Sequence, residues 1–226
     1  MKRSDSFILI LIFFSCSKKT ASDTKIPESK MHDKTVTVQK ENDISPKPPE
    51  NDWQANFNLT HNIDIDSINK RPVRFYIENK DCNKTAIDFY YGKYRPTDED
   101  KTADLLALAT SDNKDLRSFY KWILNKTIAI SDGALAEYIV VPARKYAEKF
   151  PDEFFNYMDL DKTTERYDNW VEAIGYSGFY DSDDYKKPVS IRKQLIALMI
   201  KNSNVNLKNR ITKFAMDCFP NTNNTE

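Results

Sequence analysis

Few side chains in this chain could carry out chemistry. There are two histidines, His32 and His61. His32 lies in a polar stretch with no core around it, so any Ser-His-Asp or Cys-His arrangement would have to use His61. No serine sits in a G-x-S-x-G elbow, and neither H-E-x-x-H nor C-x-x-C occurs. A zinc site with two or three histidine ligands is therefore all but excluded. The acidic cluster "DLDKTTERYDNW" places Asp159, Asp161 and Thr163 at calcium-loop positions, but Thr164 stands where the sharp turn needs Gly and Trp170 where a bidentate Glu belongs. "NIDIDS" (Asn62 to Ser67) and "DSDD" (Asp181 to Asp184) also lack a distal acid. These clusters read as solvated loops or helix caps, and no metal or cofactor is expected.

Two carboxylates could still work as a pair on a glycan or peptide. The segment that draws attention is an aromatic, acidic loop: Tyr176, Phe179 and Tyr180 beside Asp181, Asp183 and Asp184. Aromatic rings next to acids can stack on a sugar or grip a peptide. The other reading is local packing of the loop on itself.

These residues must be positioned by the elements around them, and the first is not part of a fold. Lys2 and Arg3 precede an unbroken apolar run, "FILILIFF", Phe7 to Phe14. As a helix the run rises only ~12 Å at ~1.5 Å per residue, and a bilayer core needs ~30 Å. A basic start and a short apolar middle match a secretory signal peptide, residues 1–15. The run ends "FFSC". Ser15 before Cys16 resembles the lipobox of bacterial lipoproteins, although Phe13 and Phe14 stand where leucine and a smaller residue are common. The resemblance covers residues 1–16 alone. It implies a thioether-linked diacylglycerol on Cys16, cleavage just before it, and a third acyl chain on the new amino terminus. One chain anchors only marginally, since each buried CH₂ contributes ~0.8 kcal/mol, whereas several chains hold. Ser17 after the cysteine points, by the family's sorting rule, to the outer membrane of a diderm bacterium.

The whole chain carries 34 basic and 34 acidic side chains. Removing residues 1–15 takes away Lys2, Arg3 and Asp5, which leaves 32 and 33. No basic excess remains to neutralise phosphates, so nucleic acid is not an expected partner. The four glycines are too few for Gly-rich phosphate loops or a turn-dense β-sandwich. With Cys16 acylated, Cys82 and Cys218 remain, and an exported compartment permits a disulfide between them. The bridge would close a loop of about 136 residues. The alternative is two separate buried thiols, and Cys218 does fall on an apolar helical stripe.

Residues 16–50 form a polar, charged tether behind the lipidated cysteine, ending in "SPKPPE". It lacks the apolar surface to offset ordering entropy, and its reach is on the order of 30 Å or more. The domain, residues 51–226, is expected to be all-α. It should form an irregular helical bundle or a short solenoid-like stack of six to eight helices, with little or no strand. "RPVRFYI" suggests a short extended segment at Val73 to Ile77, and "NKTAIDFYY" a helix ending at Gly92. Thr97 with Asp100 resembles a capping box. "SDN" (111–113) and "SDG" (131–133) should each break one helix and cap the next. Pro142 should kink or split its helix, and Pro151 suits a first turn. Leu207, Ile211, Phe214, Ala215 and Cys218 make the cleanest amphipathic stripe. Helix starts recur every 32 to 38 residues, roughly a solenoid period, but without a repeated residue signature.

The functional expectation is a lipid-anchored envelope protein whose helical domain binds a protein or peptide partner; the alternative is an envelope enzyme with paired carboxylates. Replacing Cys16 with Ala should release the mature domain from membranes without unfolding it. Fractionation that leaves the Cys16→Ala protein in the membrane pellet would contradict the lipoprotein reading.

Overall fold

The computed structural model describes residues 52–177 and 188–220. Among them are nine α-helices: α1 Arg74–Ile77, α2 Lys84–Tyr90, α3 Asp100–Ala107, α4 Lys114–Ala129, α5 Gly133–Lys149, α6 Pro151–Met158, α7 Glu165–Gly175, α8 Pro188–Asn202 and α9 Lys208–Cys218. The only strands described, β1 Ser67–Ile68 and β2 Arg71–Pro72, pair antiparallel as a small hairpin. Its turn residues Asn69 and Lys70 have φ of 52° and 64°. Positive φ at both central positions marks the turn whose twist suits a two-residue hairpin, and Asn tolerates it. The domain is an all-α bundle, as the sequence pattern indicates.

Four of the nine described helix starts follow local chemistry. The Asn83 side chain accepts from the Thr85 and Ala86 N–H groups, Asn113 accepts from Asp115 and Leu116, and Asp132 accepts from Leu135. Each satisfies donors that the first turn leaves unpaired. Pro151 opens α6, followed by Asp152 and Glu153 at the positive helix end. The capping box expected at Thr97 does not form. The helix begins at Asp100, and the Thr97 N–H instead donates to Thr102 Oγ1 at 3.1 Å. Val73 to Ile77 is not extended either; it enters the helical turn α1. A strand would send Val73 and Tyr76 to opposite faces, yet both are fully buried. One helical turn puts them on the same side, where the Tyr76 ring stacks on Phe119 at 5.3 Å and its hydroxyl donates to the Ile68 carbonyl. Pro142 does not split α5, which runs unbroken from Gly133 to Lys149. Pro142 lies half-buried with Tyr138 and Val141 along a surface groove, so the carbonyl it leaves without an N–H partner is on the wetter side of the helix.

α5 sits at the centre. It touches α3, α4, α6, α7 and α8. In a solenoid each unit meets only its sequence neighbours, so this pattern selects the bundle. Two aromatic clusters fill the core. One gathers Trp53, Phe57, Phe89, Phe119 and Trp122 around the N-terminal elements. The other gathers Tyr146, Phe154, Phe155, Trp170 and Phe214. Trp170 is fully buried, and its indole N–H donates to Asn125 Oδ1 at 2.9 Å, which ties α7 to α4. Asn125 therefore serves packing. At the other end of α7, a Cβ added to Gly175 would lie 2.9 Å from the Cys218 backbone carbonyl oxygen. Only glycine allows α7 to approach the end of α9 so closely. Gly175→Ala should destabilise the domain by roughly 1–3 kcal/mol, the usual cost of overpacking, measurable as a lowered urea midpoint. An unchanged midpoint would mean that the α7–α9 contact yields freely.

Candidate functional site

α4 carries Lys114, Arg117, Ser118 and Lys121 at i, i+3, i+4 and i+7, so all four share one face. That face looks into a cleft of about 500 Å³. α6 supplies the opposite wall through Glu153, Asn156 and Tyr157, with Leu160 just beyond it, and the hairpin turn supplies Asn69 and Lys70. The hairpin is fastened to α4. Asn69 Nδ2 donates to Ser118 Oγ at 3.1 Å, and Arg71 pairs with Asp115 at 3.1 Å.

Arg117 is fully engaged. Its Nε donates to one Glu153 oxygen at 3.0 Å and its Nη2 to the other, while Nη1 donates to the Ser111 carbonyl at 3.1 Å. Its guanidinium also lies over the Phe150 ring, 3.9 Å from the centroid. This two-pronged pair braces α6 against α4.

Lys121, one helical turn further along, is in a different situation. It is only 6 % exposed. Its ammonium lies 4.1 Å from the centre of the Tyr157 ring, and no oxygen acceptor among the described residues bonds it. The Arg166 guanidinium covers the same ring at 4.2 Å. Burial pushes the Lys121 amine down to about 8; the Glu153 carboxylate opposes that shift, and Arg166 and Arg117 add to it. Burial also pushes the Tyr157 phenol up to about 12, so the ring is neutral at ordinary pH and acts as a π-face for the two cations. At the mouth, Lys70 and Lys114 are exposed and neither has an ion-pair partner among the described residues. Leu160 is 59 % exposed at the rim. The cleft thus combines four cationic side chains with one carboxylate already claimed by Arg117.

The residues singled out in the sequence lie elsewhere. Tyr176, at the end of α7, lines a separate pocket of about 240 Å³ with Ile139, Val140 and Ala173. Phe179, Tyr180, Asp181, Asp183 and Asp184 lie outside the described residues, as does Cys16. Cys82 and Cys218 are free thiols; the disulfide is not formed. Cys82 sits in the turn before α2, with its thiol toward the Asn83 carbonyl, while Cys218 is buried in the core at the end of α9. Burial pushes the Cys82 thiol up to about 11 and raises Cys218 as well, so neither is a thiolate at neutral pH.

His61 lies edge-on to Tyr90, with its Nε2 3.1 Å from Gln54 Oε1. The acidic clusters serve structure. Asp66 accepts from the Thr60 N–H and hydroxyl and from the Tyr90 hydroxyl, closing the loop before the hairpin. Asp161 accepts from the Thr163 and Arg166 N–H groups at the start of α7, and those bonds hold its carboxyl down at about 2. No group of three metal-ligating side chains occurs among the described residues.

The sequence signal for the cleft is the basic spacing at 114, 117 and 121, which by itself reads as a solvated helix face. No family model, no curated protein and no solved structure matches the chain.

The buried lysine has a consequence for stability. Its folded-state pKa, about 8, lies below the ordinary value of 10.5. The unfolded chain therefore holds more protons between those limits, and folding gains stability as pH rises through the window. Its contribution is complete near pH 10.5 and lost as pH falls through about 8. Lys121→Met should flatten the rise in stability between pH 8 and 10 and stabilise the domain at pH 7 by on the order of 1–3 kcal/mol. Chemical denaturation of both proteins across that range checks it; parallel curves would contradict the burial of the charge.

Proposed function

We propose that this chain is an exported protein held by acyl chains on Cys16, at the outer membrane of a diderm bacterium, and that its helical domain binds a protein or peptide partner through the α4–α6 cleft. The anchor and tether rest on residues 1–50. The observation that carries the binding role is Lys121, a buried cation without an acceptor facing an open cleft. Such a group is costly to a fold and useful to a binding site. The exposed Leu160 beside it offers apolar area, and interfaces combine such patches with a few placed polar groups. A near-neutral mature chain fits a protein partner better than nucleic acid.

Nothing among the described residues favours the alternative, an envelope enzyme working through paired carboxylates. Asp66 and Asp161 are occupied by local donors, and Glu153 is held by Arg117.

A photo-crosslinking residue placed at Leu160 in the intact lipidated protein should yield a protein adduct in cells. The same residue at Met216, exposed on α9, should not. Equal labelling from both positions, or none from Leu160, would remove the cleft as the binding face.

A further inference from the structure

Lys121 is the group in the cleft that its own chain leaves incomplete. Its ammonium has a ring on one side and no carboxylate or carbonyl bonded to it among the described residues. The neighbouring donors are taken: Arg117 by Glu153 and the Ser111 carbonyl, Asn69 by Ser118. Among the described residues lining the cleft, what remains free is one interior cation, two exterior ones at Lys70 and Lys114, and an exposed leucine. A carboxylate entering the cleft would give Lys121 a charge-assisted hydrogen bond, the strong kind, in a site where burial has already removed much of its hydration.

Given the partner-binding reading above, on which this rests, we infer that the cleft recognises an acidic peptide segment: one Asp or Glu carboxylate bonds the Lys121 ammonium, flanking acids meet Lys70 and Lys114, and an apolar neighbour covers Leu160. Phosphate fits the arrangement less well. A dianion calls for several converging donors; of the two guanidinium groups nearby, Arg117 bonds Glu153 and Arg166 bonds the Tyr157 carbonyl. A single carboxylate matches a single interior ammonium in charge. Its side chain also brings peptide backbone and neighbours to the rim, where the exterior lysines and Leu160 stand.

The test uses the intact mature protein in detergent and two dye-labelled peptides: one of alternating Glu and Leu, the other with every Glu replaced by Gln. Fluorescence anisotropy should show the Glu peptide binding at least about tenfold more tightly, the scale of one charged hydrogen bond. Lys121→Met should abolish that preference. Because this substitution removes a buried charge, its fold should persist, and circular dichroism of the same sample confirms it. Equal affinity for the two peptides overturns the inference. So does a Lys121→Met protein that keeps the preference, which would mean that surface attraction by Lys70 and Lys114 accounts for it. Displacement of the Glu peptide by millimolar inorganic phosphate, but not by the same concentration of glutarate, also overturns it in favour of a phosphate site. If the crosslink from Leu160 forms in cells while both peptides bind equally, the binding face stands and only the acidic recognition falls. If the crosslink is absent as well, the partner-binding reading itself falls.

Discussion

The Arg117–Glu153 pair determines how α4 and α6 meet, and the character of the cleft follows from it. The guanidinium spans both carboxylate oxygens and lies on Phe150, so α6 cannot slide along α4 without breaking two bonds and a stacking contact at once. The pair also claims the one acid that could have neutralised Lys121. Glu153 is near enough for its charge to favour the Lys121 ammonium, but its two oxygens are bonded by Arg117. As built, the stronger, forked partner has the carboxylate, and the weaker cation is left facing the opening. The pairing of a buried arginine with a half-exposed glutamate thus leaves a buried cation without an acceptor one turn away.

That arrangement depends on a rigid surround. α5 supplies it by contacting helices on several sides, and the Trp170–Asn125 bond fixes α7 against α4 one turn beyond Lys121. Two aromatic clusters, one on the hairpin side and one on the α7–α9 side, share α4 and its neighbours as common support. A lysine can stay desolvated only where its walls do not give way.

What could be read from the sequence was whatever is decided locally. Asn113, Asp132 and Pro151 announce helix starts because a cap bonds within three residues of itself, and the stripe ending at Cys218 needs only one helix to be recognised. Val73 to Ile77 misled because its conformation is set by Tyr76 reaching Phe119, more than forty residues on. Thr97 misled because Thr102 offered its backbone a better partner. The cleft itself was nearly silent. Lys114, Arg117 and Lys121 have the spacing of an ordinary wet face, and the approach of Tyr157 and Glu153 from a different helix is what covers Arg117 and Lys121. Aromatic and acidic letters in 176–184 were conspicuous as composition, whereas burial of a single lysine is a property of assembly and leaves no mark in composition.

The hairpin wall has a further implication. Two of the cleft's boundaries, α4 and α6, are helices whose buried faces also hold the core together, so changing them disturbs the fold. The third is a two-residue turn, Asn69 and Lys70, attached through the Asn69–Ser118 bond and the Arg71–Asp115 pair at its edge. Its geometry is encoded within a few residues, and Lys70 itself contributes nothing to the interior. The width of the opening and the charge at its lip are therefore adjustable independently of the machinery that keeps Lys121 buried. The molecule separates the part that stores an unmet charge from the part that decides who may reach it.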